Sequence, residues 1–292
     1  SSHWGTYRAK VQDGQVKELV GWENDKDPSP IGTGILDVQH GPTRIDAPMV
    51  RKSWLENGPG SKNHLRGRDP FVEISWDKAE KIVAQELNRV KSKFGNSAIY
   101  GGSYGWASAG RFHHAQSQLH RFLNCIGGYT RSKFTYSFAA AEAMVPHILG
   151  SYRAYLDTCT SWDLIKNNTK LFVCFGGVPI KNSQICQGGT GNHYQRESLV
   201  DAGNNGIEFI NISPLKSDLI DEVKGEWLAA RPNTDTALML GIAHTLHVEG
   251  LSNKNFLENY TEGFDIFLSY LLGIDDGVEK NAEWAASICD IP

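Results

Sequence analysis

Lys170-Leu171-Phe172-Val173-Cys174-Phe175-Gly176-Gly177 is apolar from Leu171 to Phe175 and stops at paired glycines. A short continuous apolar run of this kind suits a strand covered on both faces, as in a parallel sheet. Moving toward the C-terminus, a helix is predicted over 192–202. The segment Ile207-Glu208-Phe209-Ile210-Asn211-Ile212 then repeats the strand signature and ends in Ser213-Pro214. A third short strand over 226–229 precedes Arg231-Pro232-Asn233-Thr234-Asp235, and a helix over 236–248 follows. Strand, helix, strand, strand, helix is the order of an open α/β sheet. Such sheets bind ligands at the carboxyl ends of their strands.

Moving toward the N-terminus, regular structure begins near Phe71-Val72-Glu73-Ile74-Ser75-Trp76. A helix should follow with Asp77 near its N-cap, Ala79, Ile82, Val83, Leu87 and Val90 on one face, and Gly95 at its C-cap. A short strand is predicted over 97–100, then helices over 114–123 and 138–149, with Pro146 kinking or breaking the second. Residues 22–70 are rich in Gly, Pro, Asn and Asp and read as mostly irregular loop. Val11 to Val20 reads as a hairpin turning at Asp13-Gly14. The expected fold is α/β: a β-rich segment over 1–57, an α/β domain over 58–160, and an open, mostly parallel Rossmann-like domain over 161–292. The chain stops at Asp290-Ile291-Pro292, and proline favours the first position of a helix. The expectation is therefore a domain cut short.

Composition narrows the function classes. The 292 residues carry a formal net charge of −4, with no lysine or arginine run of the kind that marks nucleic-acid or anionic-membrane surfaces. No apolar run approaches the ~18 residues of a membrane span. Ser1-Ser2-His3-Trp4-Gly5 has neither a basic nor an apolar leader character, which leaves a periplasmic or cytoplasmic location open. Cys125, Cys159, Cys174, Cys186 and Cys289 are widely spaced without C-x-x-C, so they read as buried thiols rather than zinc or iron–sulfur ligands. The dinucleotide fingerprint G-x-G-x-x-G, the Walker A loop and the G-x-S-x-G elbow are absent. His244 and His247 lie three apart without a glutamate base between them and read as helix-face or core histidines.

Several segments, in order, carry a resemblance. They are Ser2-His3-Trp4-Gly5, Gly102-Ser103-Tyr104-Gly105-Trp106, Gly110-Arg111-Phe112-His113, Gly127-Gly128-Tyr129 and Tyr136-Ser137-Phe138-Ala139-Ala140-Ala141. Further on come Pro146-His147, Thr160-Ser161-Trp162, Pro179-Ile180-Lys181-Asn182, Ser213-Pro214-Leu215-Lys216, Arg231-Pro232-Asn233-Thr234-Asp235 and Tyr270-Leu271-Leu272-Gly273. Together they resemble the N-terminal portion of the dimethyl sulfoxide reductase family of molybdoenzymes, in its S-oxide and N-oxide reductase branch. The biotin sulfoxide reductase-like members stand nearest.

The resemblance implies molybdenum held by bis(molybdopterin guanine dinucleotide) and a two-electron reduction of a small S-oxide or N-oxide. It assigns Ser137 as the metal ligand. A serine oxygen suits a hard, highly charged metal, and the plain structural alternative is that Ser137 caps the Ala-rich helix after it. Tyr104 and Trp106 match the aromatic residues facing the metal; each offers an O–H or N–H donor on a flat apolar body. Tyr104 tilts the substrate toward sulfoxides. Trp106 is also implied to contact the cofactor. Lys181 and Asn182 would reach phosphate or pterin oxygens, and Ile212 and Ser213 a ribose. Asn233, Thr234 and Asp235 would meet the guanine edge, whose paired N–H donors suit a carboxylate. The Ser183–His193 stretch departs from the family pattern. Electrons would come from a partner redox protein. Two rival readings are a non-catalytic nucleotide-binding remnant and a family member with hydroxyl-transfer or non-redox chemistry.

Overall fold

The structure is a computed structural model, and it describes residues 2–103, 114–185 and 191–292. The chain forms two compact units, one of Ser1–Cys159 with Ile185–His193, the other of Thr160–Gln184 with Tyr194–Pro292.

The first unit opens with the hairpin β1 (Tyr7–Gln12) and β2 (Gln15–Gly21), paired antiparallel. Its turn is Asp13-Gly14, and both residues have positive φ, 51° and 73°. That is the type I′ geometry that matches the twist of paired strands. The predicted loop over 22–70 holds more order than its composition suggests. It contains α1 (Ile35–Gln39), β3 (Met49–Arg51) and α2 (Lys52–Asn57). Strand β4 (Phe71–Glu73) pairs antiparallel with β3. One buried carboxylate organises this region: Asp69 accepts from Arg51 Nε at 2.9 Å and from the Ser53 hydroxyl and N–H.

Helix α3 (Trp76–Phe94) has Ser75 at its N-cap, whose hydroxyl accepts from the Lys78 N–H, with Asp77 in the first turn as expected. The hydroxyl satisfies one of the end N–H groups. Gly95 ends it at φ 79°. Ala79, Ile82, Leu87 and Val90 are half-buried, but Val83 is exposed. The strand expected over 97–100 is instead a 3-10 turn at Asn96–Ala98 and a single parallel bridge, Tyr100 to Thr130. The Asn96 amide donates to the carbonyls of Ile126 and Gly128, which holds the backbone in a turn. Helices α4 (Ala115–Cys125), α5 (Ala139–Leu149) and α6 (Tyr152–Asp157) complete the unit. Pro146 lies inside α5 without ending it.

The second unit holds α7 (Trp162–Asn168), β5 (Leu171–Phe175), α8 (Ile180–Ser183), α9 (Gln195–Asn204), β6 (Glu208–Ile212) and β7 (Gly225–Leu228). The strands form a parallel sheet in the order β5-β6-β7, with Cys174 opposite Asn211 and Ile210 opposite Glu226. Helices α10 (Asp235–Val248), α11 (Lys254–Tyr260), α12 (Phe264–Leu271) and α13 (Ala282–Cys289) follow. The core is Cys174, Leu199, Ala202, Ile207, Phe209, Leu219 and Val223, with Phe172 stacked on Phe209 at 5.4 Å. Only one face of β5 takes part: Leu171, Val173 and Phe175 are exposed. The expectation of a strand covered on both faces fails, because the core of this unit gathers on the side of Phe172 and Cys174.

The cysteines also differ from expectation. Cys174 and Cys289 are buried, whereas Cys125 and Cys159 are exposed. Burial pushes the Cys174 thiol up to about 11, so it behaves as a small core hydrophobe. No helix among the described residues is long and apolar enough to cross a membrane.

Candidate functional site

The carboxyl ends of β5, β6 and β7 bring several of the expected residues to one edge of the second unit. Strand β5 gives way to Gly176 and Gly177, both at positive φ, 83° and 74°. The Gly176 N–H donates to the Ile212 carbonyl at 2.8 Å, which closes the loop against the neighbouring strand. At Gly177 the absence of a side chain is required twice over. A Cβ there would lie 2.5 Å from Asp218 Cβ and 2.7 Å from its carbonyl oxygen. That close approach lets the Val178 N–H donate to the Asp218 carbonyl at 2.7 Å.

Asp218 is the centre of the edge. One carboxylate oxygen accepts from the Ser213 hydroxyl at 2.6 Å, and the other lies 3.1 Å from Lys181 Nζ. The Ser213 hydroxyl first, and the Lys181 ammonium second among the favourable contacts, hold the Asp218 carboxyl below the usual carboxylate range against the opposing effect of burial. Lys181 and Ser213 are thus brought together through a residue that the sequence reading did not single out. Ser213 itself is only 1% exposed. Its N–H donates to the Leu228 carbonyl, its carbonyl accepts from Trp227 Nε1, and its hydroxyl also accepts from the Leu215 N–H. Ile212 is likewise buried. Asn182 lies exposed in α8, the short helix that carries Lys181.

After β7 the chain makes a second tight feature. Asn233 adopts a left-handed φ of 67°. The Thr234 hydroxyl donates to the Arg231 carbonyl at 2.7 Å, and the Thr234 carbonyl accepts from Cys289 Sγ. Asp235 is the first residue of α10, and Thr234 stands at its N-cap without a side-chain cap bond. The Arg231 N–H donates to the Cys289 carbonyl at 2.9 Å, which anchors this loop on α13.

Ser137 lies in the first unit, exposed in the turn before α5. Phe138 holds the N-cap position of that helix, one residue after Ser137. The turn is set by Glu142 in the first helical turn, which accepts from the Thr135 N–H at 3.0 Å. Tyr104 and Trp106 lie outside the described residues. Among the described residues no group of three His, Cys, Asp or Glu side chains is placed to hold a metal ion.

Residues 44–273 match the family model described as molybdopterin oxidoreductase, and residues 1–40 match the molybdopterin oxidoreductase N-terminal domain. The chain belongs to the molybdopterin oxidoreductase family. Within it, the chain is 41% identical over 290 residues to a dimethyl sulfoxide/trimethylamine N-oxide reductase of Cereibacter sphaeroides, covering 99% of this chain and 35% of that protein. It is 43% identical over 249 residues to a biotin sulfoxide reductase of the same organism, covering 85% and 34%. A trimethylamine-N-oxide reductase of Haemophilus influenzae is 37% identical over 295 residues, covering 100% and 35%. The chain therefore spans about 35% of the length of these curated relatives. Among solved structures it is similar to acetylene hydratase from Pelobacter acetylenicus, with a TM-score of 0.58 at 20% identity, over 99% of this chain and 35% of that one. That likeness bears on the fold.

Membership implies a molybdenum–molybdopterin cofactor, and the donor set of this molybdopterin oxidoreductase chain suits one. A phosphorylated pterin calls for a reachable cation at a strand end. The β5 edge supplies Lys181, 64% exposed, beside the Gly176-Gly177 loop. An oxygen-seeking metal calls for a hard donor that solvent can reach, and Ser137 is exposed.

Proposed function

We propose that this chain is part of an enzyme that reduces S-oxides or N-oxides by two electrons and two protons, releasing the sulfide or amine and water. The observation that carries this reading is the collinear likeness over 99% of the chain to a dimethyl sulfoxide/trimethylamine N-oxide reductase. Likeness to a biotin sulfoxide reductase and to a trimethylamine-N-oxide reductase, over 85% and 100% of the chain, supports the same reading. The bound molybdenum cofactor supplies the two-electron oxygen-transfer chemistry, and the protein supplies ligand, orientation and electrostatics.

In this reading Ser137 holds the metal through its side-chain oxygen. Tyr104 and Trp106 donate O–H and N–H to the substrate oxygen, and Trp106 also packs on the cofactor. The cofactor takes its bis(molybdopterin guanine dinucleotide) form. Lys181 and Asn182 hold phosphate or pterin oxygens. Ile212 and Ser213 shape the ribose position; the burial of both makes that role one of wall and support. Asn233, Thr234 and Asp235 read the guanine edge, Asp235 by accepting its N–H donors. A separate redox protein delivers the electrons.

The test is made on the enzyme that carries this chain. Molybdenum and guanine nucleotide content are measured together with viologen-linked reduction of dimethyl sulfoxide and of trimethylamine N-oxide. We expect one metal and its nucleotides, turnover of at least one oxide, and a loss of roughly 100-fold or more in Ser137→Ala. Nucleotide without metal would favour a non-catalytic remnant. Metal without oxide turnover would favour hydroxyl-transfer or other non-redox chemistry.

A further inference from the structure

We propose that Asp218 sets the anion affinity of the β5–β6 edge: by pairing with Lys181 it keeps weakly bound small anions from occupying a place meant for a nucleotide. The proposal rests on the reading that Lys181 meets the cofactor's phosphates. Three observations support it. The first is the geometry, with one carboxylate oxygen on the Ser213 hydroxyl at 2.6 Å and the other 3.1 Å from Lys181 Nζ. The second is the asymmetry of burial. The Asp218 side chain is 11% exposed and the Lys181 side chain 64%, so a ligand reaches the cation and not the carboxylate. The third is that Asp218 cannot withdraw. Its N–H donates to the Leu215 carbonyl, its carbonyl accepts from the Val178 N–H, and Gly177 packs directly against its Cβ position.

A small anion arriving at Lys181 gains an ammonium already balanced by a fixed opposite charge. It meets the residual repulsion of Asp218 and has nothing else to hold. A nucleotide diphosphate overcomes the same repulsion, because its base and sugar find partners beyond the phosphate contact, at Asn233–Asp235 in this reading. The carboxylate therefore lowers both affinities by a similar factor, which leaves the nucleotide's high enough to hold and the small anion's too weak to fill the place. An ammonium has three donors, so Lys181 can keep Asp218 while turning another N–H to phosphate.

The experiment measures binding of inorganic pyrophosphate and of GDP to the intact chain by calorimetry at low and high salt. It compares the unsubstituted protein with Asp218→Asn, Asp218→Glu, Lys181→Met and the Asp218→Asn/Lys181→Met pair. We expect Asp218→Asn to bind pyrophosphate roughly 5-fold more tightly at low ionic strength, an effect of a size that one nearby exposed charge produces. The gain should vanish in the double variant, shrink at high salt and be absent in Asp218→Glu. Unchanged or weaker pyrophosphate binding by a folded Asp218→Asn would overturn the proposal. If Lys181→Met leaves GDP affinity unchanged, the parent reading of Lys181 fails instead, and the proposal with it. Should Asp218→Asn not fold, competitive acetylation of the unsubstituted protein decides. Lys181 should react several-fold more slowly than exposed Lys78, and equal rates would overturn the pairing.

Discussion

Two serines occupy opposite conditions in this chain. Ser213 is 1% exposed, and its N–H, carbonyl and hydroxyl are all engaged with neighbours in its own unit. Ser137 is exposed in a turn, one residue ahead of the position that starts α5. The first belongs to a region that the chain builds from its own contacts: β5, β6, β7 and the Asp218 network. The second lies in a solvent-facing turn, its N–H donating to the Thr135 hydroxyl. In the proposed reading, the contrast separates residues that would support the cofactor as its platform from one that would bond to it. It predicts that substitutions on the platform are felt in stability, whereas substitution of Ser137 is felt in metal and activity alone.

The largest stability effect should come from Lys280, which is 2% exposed. Its ammonium bonds Asp276 at 2.7 Å and 2.9 Å, reaches the carbonyls of Tyr270 and Val278, and lies 4.1 Å from the centre of the Tyr270 ring. Lys280→Met removes the buried ammonium that ties these acceptors together, and we expect a loss on the order of 3 kcal/mol in urea unfolding. Next is Gly177→Ala. It adds a methyl 2.5 Å from Asp218 at a φ of 74°, so about 2 kcal/mol should be lost, with Lys181 displaced as well. Ser213→Ala deprives the Asp218 carboxylate of its hydroxyl donor and should cost about 1.5 kcal/mol.

Acid should act on the carboxylates held within the fold of each unit. The carboxyls of Asp218, Asp276 and Asp69 are each held low, chiefly by the Ser213 hydroxyl, the Lys280 ammonium and the Ser53 hydroxyl respectively. A depressed folded-state pKa stabilises the fold above the unfolded value, near 3.9 for aspartate, and that stabilisation is lost as pH falls through the folded value. The thermal midpoint should therefore drop below about pH 4, and less steeply in Asp218→Asn. The smallest effect is the stability change of Ser137→Ala, expected within about 0.5 kcal/mol. A loss of 2 kcal/mol or more there, on the order seen for buried networks, would break the distinction between platform and displayed ligand.

Much of the platform was legible in advance. The Leu171–Phe175 run, the Glu208–Ile212 strand and the Asp13-Gly14 hairpin announce themselves through local pattern, because side-chain alternation and positive-φ turns are properties of neighbouring residues. The 3-10 turn at Asn96–Ala98 was not legible, for the opposite reason: it depends on a pair of hydrogen bonds from the Asn96 amide to a distant segment. Asp218 was invisible. Its partners lie five residues before it and 37 residues before it, and no spacing rule links a serine, an aspartate and a lysine on two adjacent strand ends.

Sequence alone determined the opening hairpin and the strands of the parallel sheet, which follow from local pattern, and its ordered motifs carried the resemblance to the family. Tertiary structure alone decided that β5 is covered on one face and that Ser213 is buried. It alone decided that the charge of Lys181 is shared with Asp218. Burial and ion pairing depend on which distant segments meet, and that is set by packing of the whole unit rather than by any local run of residues.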